Sequence, residues 1–298
     1  METWDRGILT RLELRTPAGR SVFLLFLVLL LLLAFTVLFP FLYAFTAGLK
    51  SSLEIYNSGL QIFPADPQWS NYATVFTKYN FLTYFKNSFI VVGGGLICQL
   101  TVTTLAAYSL ARLKPFGGRL ILGGFMITLM IPQIAYIIPL FTTLINVPIL
   151  NISLLGSYWG LWLPYSVNAF GILIMKIFFE SIPDDLYDAA KVDGASPLQI
   201  FVSITLPLAR GIIAVMLIVG FIGLWKDFLL PLLVLRNNVE MQPITVRLWY
   251  MLNASTVTAP AFNEQMAASF LALLPPIIVA ITLQRYLQRG LSVGAVKG

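Results

Sequence analysis

The sequence predicts an all-α polytopic membrane protein with six transmembrane helices and one cytoplasmic helical element. Three observations carry that expectation. First, 58% of the 298 residues are hydrophobic and only 11% are charged, against about 25% charged in an average soluble domain. So few charges cannot cover a soluble globule of this size, but they suit a surface that faces lipid. Second, six apolar runs are close to or above the ~20 residues needed to cross a bilayer core. Third, Lys and Arg are unevenly shared among the connections between those runs, which sets an orientation.

The runs lie at about 21–46, 87–111, 120–144, 154–175, 211–235 and 266–284. The first carries no charge from Ser21 to Leu49, and the second none from Asn87 to Ala111. Between Arg119 and Lys176 there is no charge at all, a stretch too long for one crossing. Turn formers at Asn146-Val147-Pro148 and Asn151-Ile152-Ser153 divide it. The fifth run begins after Arg210 and is interrupted by Lys226-Asp227, and the sixth lies between Glu264 and Arg285. Residues 1–20 read as a cytoplasmic tail and 21–298 as one transmembrane domain. The first run is too long for the apolar region of a cleaved signal, and no clear small-residue cleavage site follows it. With the N-terminus inside, thirteen Lys and Arg fall on the cytoplasmic side and five outside, with Lys226 left in a span. An even number of crossings returns the C-terminus to the cytoplasm. Two sizeable segments, 48–85 and 236–265, then lie outside.

Several chemistries are excluded. There is no His, so Ser-His and Cys-His nucleophile systems and Cys/His metal sites have no residues to build them. The single Cys98 lies in an apolar stretch and reads as a packing residue. No acidic residue occurs between Pro67 and Phe179, so the core of the chain holds no carboxylate pair. A phosphate-binding Gly-x-x-x-x-Gly-Lys-Ser/Thr loop is absent. The net charge of +6 is not gathered into a basic run interleaved with aromatics, which speaks against nucleic acid. The chain reads as a non-enzyme that needs no cofactor. If ATP drives it, another chain must bind the nucleotide.

The hydrophilic interval between the fourth and fifth runs is the most informative segment. Ser181-Ile182-Pro183-Asp184 offers a helix start, with Ser181 as cap and Asp184 and Asp185 at the positive end. The helix runs through Tyr187 to Val192 and stops at Gly194, which can adopt the left-handed conformation that helix ends favour. Ser196-Pro197-Leu198-Gln199 then starts a second helix with a capping box. Ala189 and Ala190 leave one patch flat enough to enter a groove. An ordinary capped loop between two spans would show the same caps and alanines; the longer spacing separates the two readings.

Asp188-Ala189-Ala190, three residues, Gly194, nine residues, then Ile204-Thr205-Leu206-Pro207 resembles the EAA motif of permease subunits in ATP-binding-cassette importers, with Asp188 in place of Glu. That resemblance implies that element 181–203 is a coupling helix docking on a cytoplasmic ATPase through Asp188, Ala189, Ala190, Gly194, Ile204, Leu206 and Pro207. Further likeness covers nearly the whole chain and points to the second permease of carbohydrate importers, the maltose-transporter type. It rests on Asn71-Tyr72, Asn87-Ser88, Ala107-Tyr108-Ser109-Leu110-Ala111-Arg112, Trp225-Lys226-Asp227-Phe228 and the final Gly294-Ala295-Val296-Lys297-Gly298. Lys226 departs from the pattern, which usually has Asn there. The implied partners are a second permease, two ATPase subunits, an external solute-binding protein, membrane lipid and a small solute, expected to be a sugar. The implied location is the cell inner membrane.

Within the spans, Trp225, Asp227 and Phe228 are candidates for the substrate path, since a carboxylate accepts sugar hydroxyls and an aromatic face stacks on a pyranose. A structural charge pair, or a helix end nearer the headgroups, is the plainer account of Lys226-Asp227. Gly93-Gly94-Gly95 reads as close helix packing, and the span prolines as kinks. Trp159, Trp162, Tyr158 and Tyr165 read as an interfacial belt, with a sugar-stacking vestibule as the minority view. Three competing functions remain open: a non-sugar permease of the same family (polyamine, phosphate or glycerol phosphate), an ion-gradient-driven carrier, and a membrane-embedded enzyme. The carrier would want more buried ionisable groups than Asp227 and Lys226, and the missing His weighs against the enzyme.

Overall fold

The computed structural model describes residues 16–57, 61–254 and 260–294, with side chains to residue 284. Residues 1–15, 58–60, 255–259 and 295–298 lie outside it, and with them most of the N-terminal tail, parts of the outer segments 48–85 and 236–265 and most of the C-terminal likeness. Helices α1 (Pro17–Gly48), α2 (Ser52–Asn57), α3 (Ser70–Lys78) and α4 (Phe81–Tyr108) come first, α4 continuing through a π-turn at Ser109–Leu113. Then follow α5 (Gly118–Met130), α6 (Gln133–Ile145), α7 (Trp159–Ser166), α8 (Ala169–Ser181), α9 (Asp184–Val192) and α10 (Pro197–Ile200). A second π-turn at Phe201–Thr205 leads to α11 (Leu206–Leu208), α12 (Arg210–Lys226), α13 (Leu229–Val234), α14 (Ile244–Leu252) and α15 (Phe262–Gly294). Among the described residues the one β contact is an isolated bridge, Val147 to Ile152. It closes the turn that the sequence placed there, with Ile149 and Asn151 at positive φ.

Among the described residues, three continuous helices are long and apolar enough to cross a membrane: Pro17–Gly48, Phe81–Leu113 and Phe262–Gln284. Three further pairs qualify only as bent spans, which brings the crossings to six if each pair is one. Two of the three bends have a local cause beside them; the third, of 76°, falls between Pro197–Leu208 and Arg210–Lys226. The run expected as one span at 120–144 is bent by 112° between α5 and α6, where Pro132, one of the prolines read as kinks, cannot donate and restrains the residue before it. The fourth run begins later and ends later than expected, as α7 and α8 with a 44° bend; there the Asn168 side chain accepts from the Gly171 N–H at 2.8 Å and recaps the chain. The fifth helix ends at Lys226 instead of continuing to 235, because Asp227 adopts extended backbone. Lys226 therefore closes a helix and does not lie within one. Pro275 and Pro276 leave α15 unbroken.

The chain divides into two units, residues 1–74 with 261–270, and 75–260 with 271–298. In the first, Asn71 donates to the carbonyls of Gly48 and Lys50, both at 2.9 Å, and so satisfies the end of α1. The Tyr72 hydroxyl donates to the Phe45 carbonyl at 2.9 Å, and burial pushes its pKa up, which keeps it a donor. The Asn71-Tyr72 pair is thus a clasp on α1. Lys50 is buried and gives its ammonium to the Gln61 carbonyl, while its own carbonyl also accepts from Asn263 at 3.1 Å.

The second unit is organised around α4, which packs on α7, α8 and α12. Asn87 near its start donates to the carbonyls of Glu240 (2.7 Å) and Gln242 (3.0 Å), and Ser88 accepts from the Ile244 N–H at 2.8 Å. These bonds seat the segment leading into α14. The indole of Trp162 lies directly over Gly94, where a Cβ would stand 2.2 Å from the ring, and its N–H donates to the Val91 carbonyl at 3.2 Å. Trp162 also stacks on Tyr158 at 5.7 Å and meets Trp159 edge-on. Tyr165 is buried. The aromatic cluster expected as an interfacial belt is therefore largely internal packing, with Trp159 its exposed member.

Gly94→Ala is expected to lower the stability of the detergent-purified protein by about 1–3 kcal/mol, since the Trp162 ring must move to admit a methyl group. Gly93→Ala meets nothing within 4 Å and serves as control. Equal melting temperatures for the two variants would contradict this packing.

Candidate functional site

Helix α9 is closed at its end by a hydrogen-bond pattern that explains the spacing of the motif. Gly194 has φ +80. Its N–H donates to the Lys191 carbonyl at 3.0 Å, and the Ala195 N–H donates to the Ala190 carbonyl at 2.9 Å. This is a Schellman closure, in which the residue after the cap must be left-handed and the flanking apolar residues touch. Ala190 and Ala195 both pack on the core below. The motif's second alanine and its glycine are therefore the acceptor and the left-handed residue of one turn. The next helix starts as expected: Ser196 accepts from the Gln199 N–H at 3.4 Å, and the Gln199 side chain accepts from the Ser196 N–H at 2.7 Å. The beginning of α9 differs from expectation. Ser181 donates to the Phe178 carbonyl at 2.7 Å and so finishes α8; Pro183 occupies the cap position without a side-chain bond.

Ile204 sits in the second π-turn, and Leu206 directly follows it. Both pack against the core, and Pro207 is exposed. Pro207 cannot donate an N–H to the turn before it, so the widened turn lies where a regular helix would lack a bond.

A single apolar cluster carries this element. Tyr108 and Ala111 at the end of α4, Met175 and Phe179 of α8, Tyr187 of α9 and Phe201 meet in it. Polar contacts then tie its parts together. The Arg112 side chain, 12% exposed, donates from Nε to the Phe179 carbonyl at 3.0 Å. It also binds the Ile182 carbonyl and the Asp184 carboxylate. Its guanidinium lies 4.0 Å from the centre of the Tyr187 ring. The Tyr187 hydroxyl shares a hydrogen bond with Thr205 at 3.2 Å, and the Tyr108 hydroxyl donates to the Pro197 carbonyl at 3.1 Å. Tyr187 and Ala190 thus face the core.

The opposite face of α9 is uncovered. Val192 is 87% exposed, Leu186 and Ala189 are exposed, and Leu198 on α10 is 65% exposed. Asp184, Asp185, Asp188 and Asp193 stand around these side chains, all exposed. Asp188 accepts from the Lys191 ammonium at 2.9 Å, and that hydrogen bond holds the Lys191 pKa above its ordinary value. A solvent-facing pair of this kind adds little to stability. The face is apolar in the middle and acidic around it.

The second set of candidates lies where α12 ends. Trp225 is buried among Phe85, Phe89 and Phe221, and its N–H donates to the Ala272 carbonyl at 3.0 Å. The Asp227 carboxylate accepts from the Tyr165 hydroxyl at 2.7 Å and from the Leu229 N–H at 3.1 Å. Of the three candidates, Phe228 alone is exposed, at 40%. Sequence reasoning placed Tyr165 among surface aromatics and missed it as the partner of Asp227. It also quoted Tyr108 and Arg112 without assigning them a role, although their place beside a span end was the available signal.

With this geometry in place, comparison with known proteins is specific. Residues 99–293 match the family described as "Binding-protein-dependent transport system inner membrane component". The sn-glycerol-3-phosphate transport system permease protein UgpE of Yersinia pestis is 29% identical over 89% of this chain and 94% of its own. The Salmonella typhi protein of the same name is 30% identical over 86% of this chain and 90% of its own. A solved bacterial ABC transporter "involved in the import of the acidic polysaccharide alginate" superposes with a TM-score of 0.78 at 25% identity, covering 91% of this chain and 98% of that one. A second structure of an alginate transporter, in complex with an alginate pentasaccharide-bound periplasmic protein, superposes with a TM-score of 0.57 at 18% identity over 91% of this chain and 96% of that one, and supports the fold. The chain belongs to the family of binding-protein-dependent transport system inner-membrane components: it is a multi-pass permease subunit of an ATP-binding-cassette importer and is not itself an enzyme.

Proposed function

We propose that this chain pairs with a second, related permease to form the path for a sugar or oligosaccharide, and that element 181–203 docks on one of two cytoplasmic ATPase subunits. The observation that carries the docking reading is the uncovered face of α9, apolar at Leu186, Ala189 and Val192 and edged by four aspartates, on a helix braced from behind. An apolar cleft with basic groups at its rim complements such a face. Asp188 and Ala189 lie on it, Ala190 and Gly194 form the turn that presents it, and Ile204 and Leu206 seat the element on the core, with Pro207 exposed at the start of the fifth span. This orientation puts both chain ends in the cytoplasm and α14 outside, towards an external solute-binding protein.

For the path, Phe228 offers the open aromatic surface, Trp225 anchors the end of α12 among Phe85, Phe89 and Phe221, and Asp227 stiffens the break in the span through Tyr165 and Leu229. The carbohydrate reading draws on the likeness to the alginate importer. The glycerol phosphate permeases among the relatives favour a second reading, a small polyhydroxylated phosphate ester. Transport assays in proteoliposomes with radiolabelled oligosaccharides and with sn-glycerol 3-phosphate separate the two, since uptake of only one class excludes the other.

Two variants test the reading. Gly194→Asp places a side chain on left-handed backbone and disrupts the turn that presents α9. The complex is expected to assemble, yet to lose stimulation of its ATPase by the solute-binding protein about tenfold, whereas Gly194→Asn, which meets that backbone as Asp does but adds no negative charge to the negative end of α9, loses less. Native stimulation in the Asp variant would contradict the docking role. Phe228→Ala is expected to raise the transport KM while basal ATP hydrolysis stays native; an unchanged KM would remove Phe228 from the path.

A further inference from the structure

Arg112 does not belong to the coupling element, yet it holds that element at more points than any other side chain described above. It stands in the π-turn that ends α4, the helix on which α7, α8 and α12 pack. From there its guanidinium reaches the carbonyls of Phe179 and Ile182, where α8 ends and the link to α9 begins. It also reaches the carboxylate of Asp184 at the start of α9 and lies over the Tyr187 ring, 4.0 Å from its centre, one turn later. Tyr108, one turn earlier on α4, adds the bond to the Pro197 carbonyl at the start of α10. One end of α4 therefore holds three consecutive elements of the cytoplasmic lever.

We propose that Arg112 is the positioning residue that transmits the stroke of α9 to α4, and so to the helices around the path. The chemistry favours a transmitting joint over simple filling of space. A guanidinium is planar and presents several donors in fixed directions, so it can bind carbonyls on one side and stack on a ring with its face. The Asp184 carboxylate is 80% exposed and adds only a screened attraction; the carbonyls and the ring carry the grip. A lysine at the same place would keep the charge, but it has neither the fork nor the flat face. The two π-turns, Ser109–Leu113 on α4 and Phe201–Thr205 beyond α10, flank this joint, and Tyr108 meets Phe201 across it at 5.0 Å. Motion of α9 relative to the inner end of α4 would have to break all of these contacts together. The helices should therefore move as one body, and by linkage a signal from the outer face should return to the ATPase by the same route.

This inference rests on the coupling reading of α9, and its test separates the two. The whole complex is reconstituted in nanodiscs in a Cys98→Ala background with spin labels at Leu113→Cys and Asp193→Cys. With Arg112 in place, the label distance is expected to show the same single peak without nucleotide and with ATP and vanadate. In Arg112→Lys the peak should broaden or shift on adding nucleotide. Stimulation of ATP hydrolysis by the solute-binding protein should fall about tenfold while basal hydrolysis holds. Arg119→Gln, which removes an exposed guanidinium from the start of α5, should leave stimulation native. If Arg112→Lys does not assemble, Tyr108→Phe carries the test, because it removes one hydroxyl and keeps the ring contacts; it too should reduce stimulation and broaden the peak. Native stimulation with an unchanged single peak in whichever variant assembles overturns the proposal. If Gly194→Asp uncouples the ATPase and the Arg112 variant does not, this inference alone falls. If neither does, the coupling reading itself fails.

Discussion

The grip of Arg112 on the end of α8 is the interaction on which the functional end of this molecule depends. A helix that stops inside a protein leaves carbonyls without partners, and a buried carbonyl left unpaired costs about 1–3 kcal/mol. Here a cation from α4 meets those carbonyls at the negative end of α8. The same side chain then supports Tyr187, so the face of α9 opposite the exposed one has a fixed seat. Stability and presentation come from one group. A short helix of nine residues is marginal by itself, and this backing is what holds it in place.

The same constraint orders the spans. In hydrocarbon every backbone donor and acceptor needs an internal partner, so a break in a helix must be repaired where it occurs. Asn168 repairs the break between α7 and α8 with its side chain. Asp227 repairs the break after α12, accepting from the Leu229 N–H while Tyr165 neutralises part of its remaining demand. Seen this way, the acidic residue in the fifth run is first a cap, and any contact with solute is made around it. Gly94 serves a different need, letting the Trp162 ring lie against the α4 backbone.

Much of this was legible in the sequence. The Gly194 stop and the Ser196 capping box depend on neighbours a few residues apart, so local chemistry was enough to read them. The division of the long uncharged run at 146–153 was readable for the same reason. The bends were not. Hydropathy records how apolar a run is and carries no direction, so a 112° bend at Ile131-Pro132 looks like one span. The same blindness put Lys226 inside a helix that ends on it. Side-chain roles that bridge distant segments were also hidden: Arg112 to Phe179, Tyr165 to Asp227 and Asn87 to Gln242 each join residues separated by more than sixty positions. Tyr158, Trp162 and Tyr165 looked like a belt because composition does not say which way a ring points.

On the proposed docking, the uncovered face of α9 is the surface an ATPase seizes. The most direct measurement is site-specific photo-crosslinking from Val192, whose side chain points away from the protein, in the intact complex within membranes, with Tyr187 as the buried counterpart. A crosslink is expected from Val192 to the ATPase subunit and none to it from Tyr187. Crosslinks from Val192 to lipid alone, or equal capture of the ATPase from both positions, would contradict it.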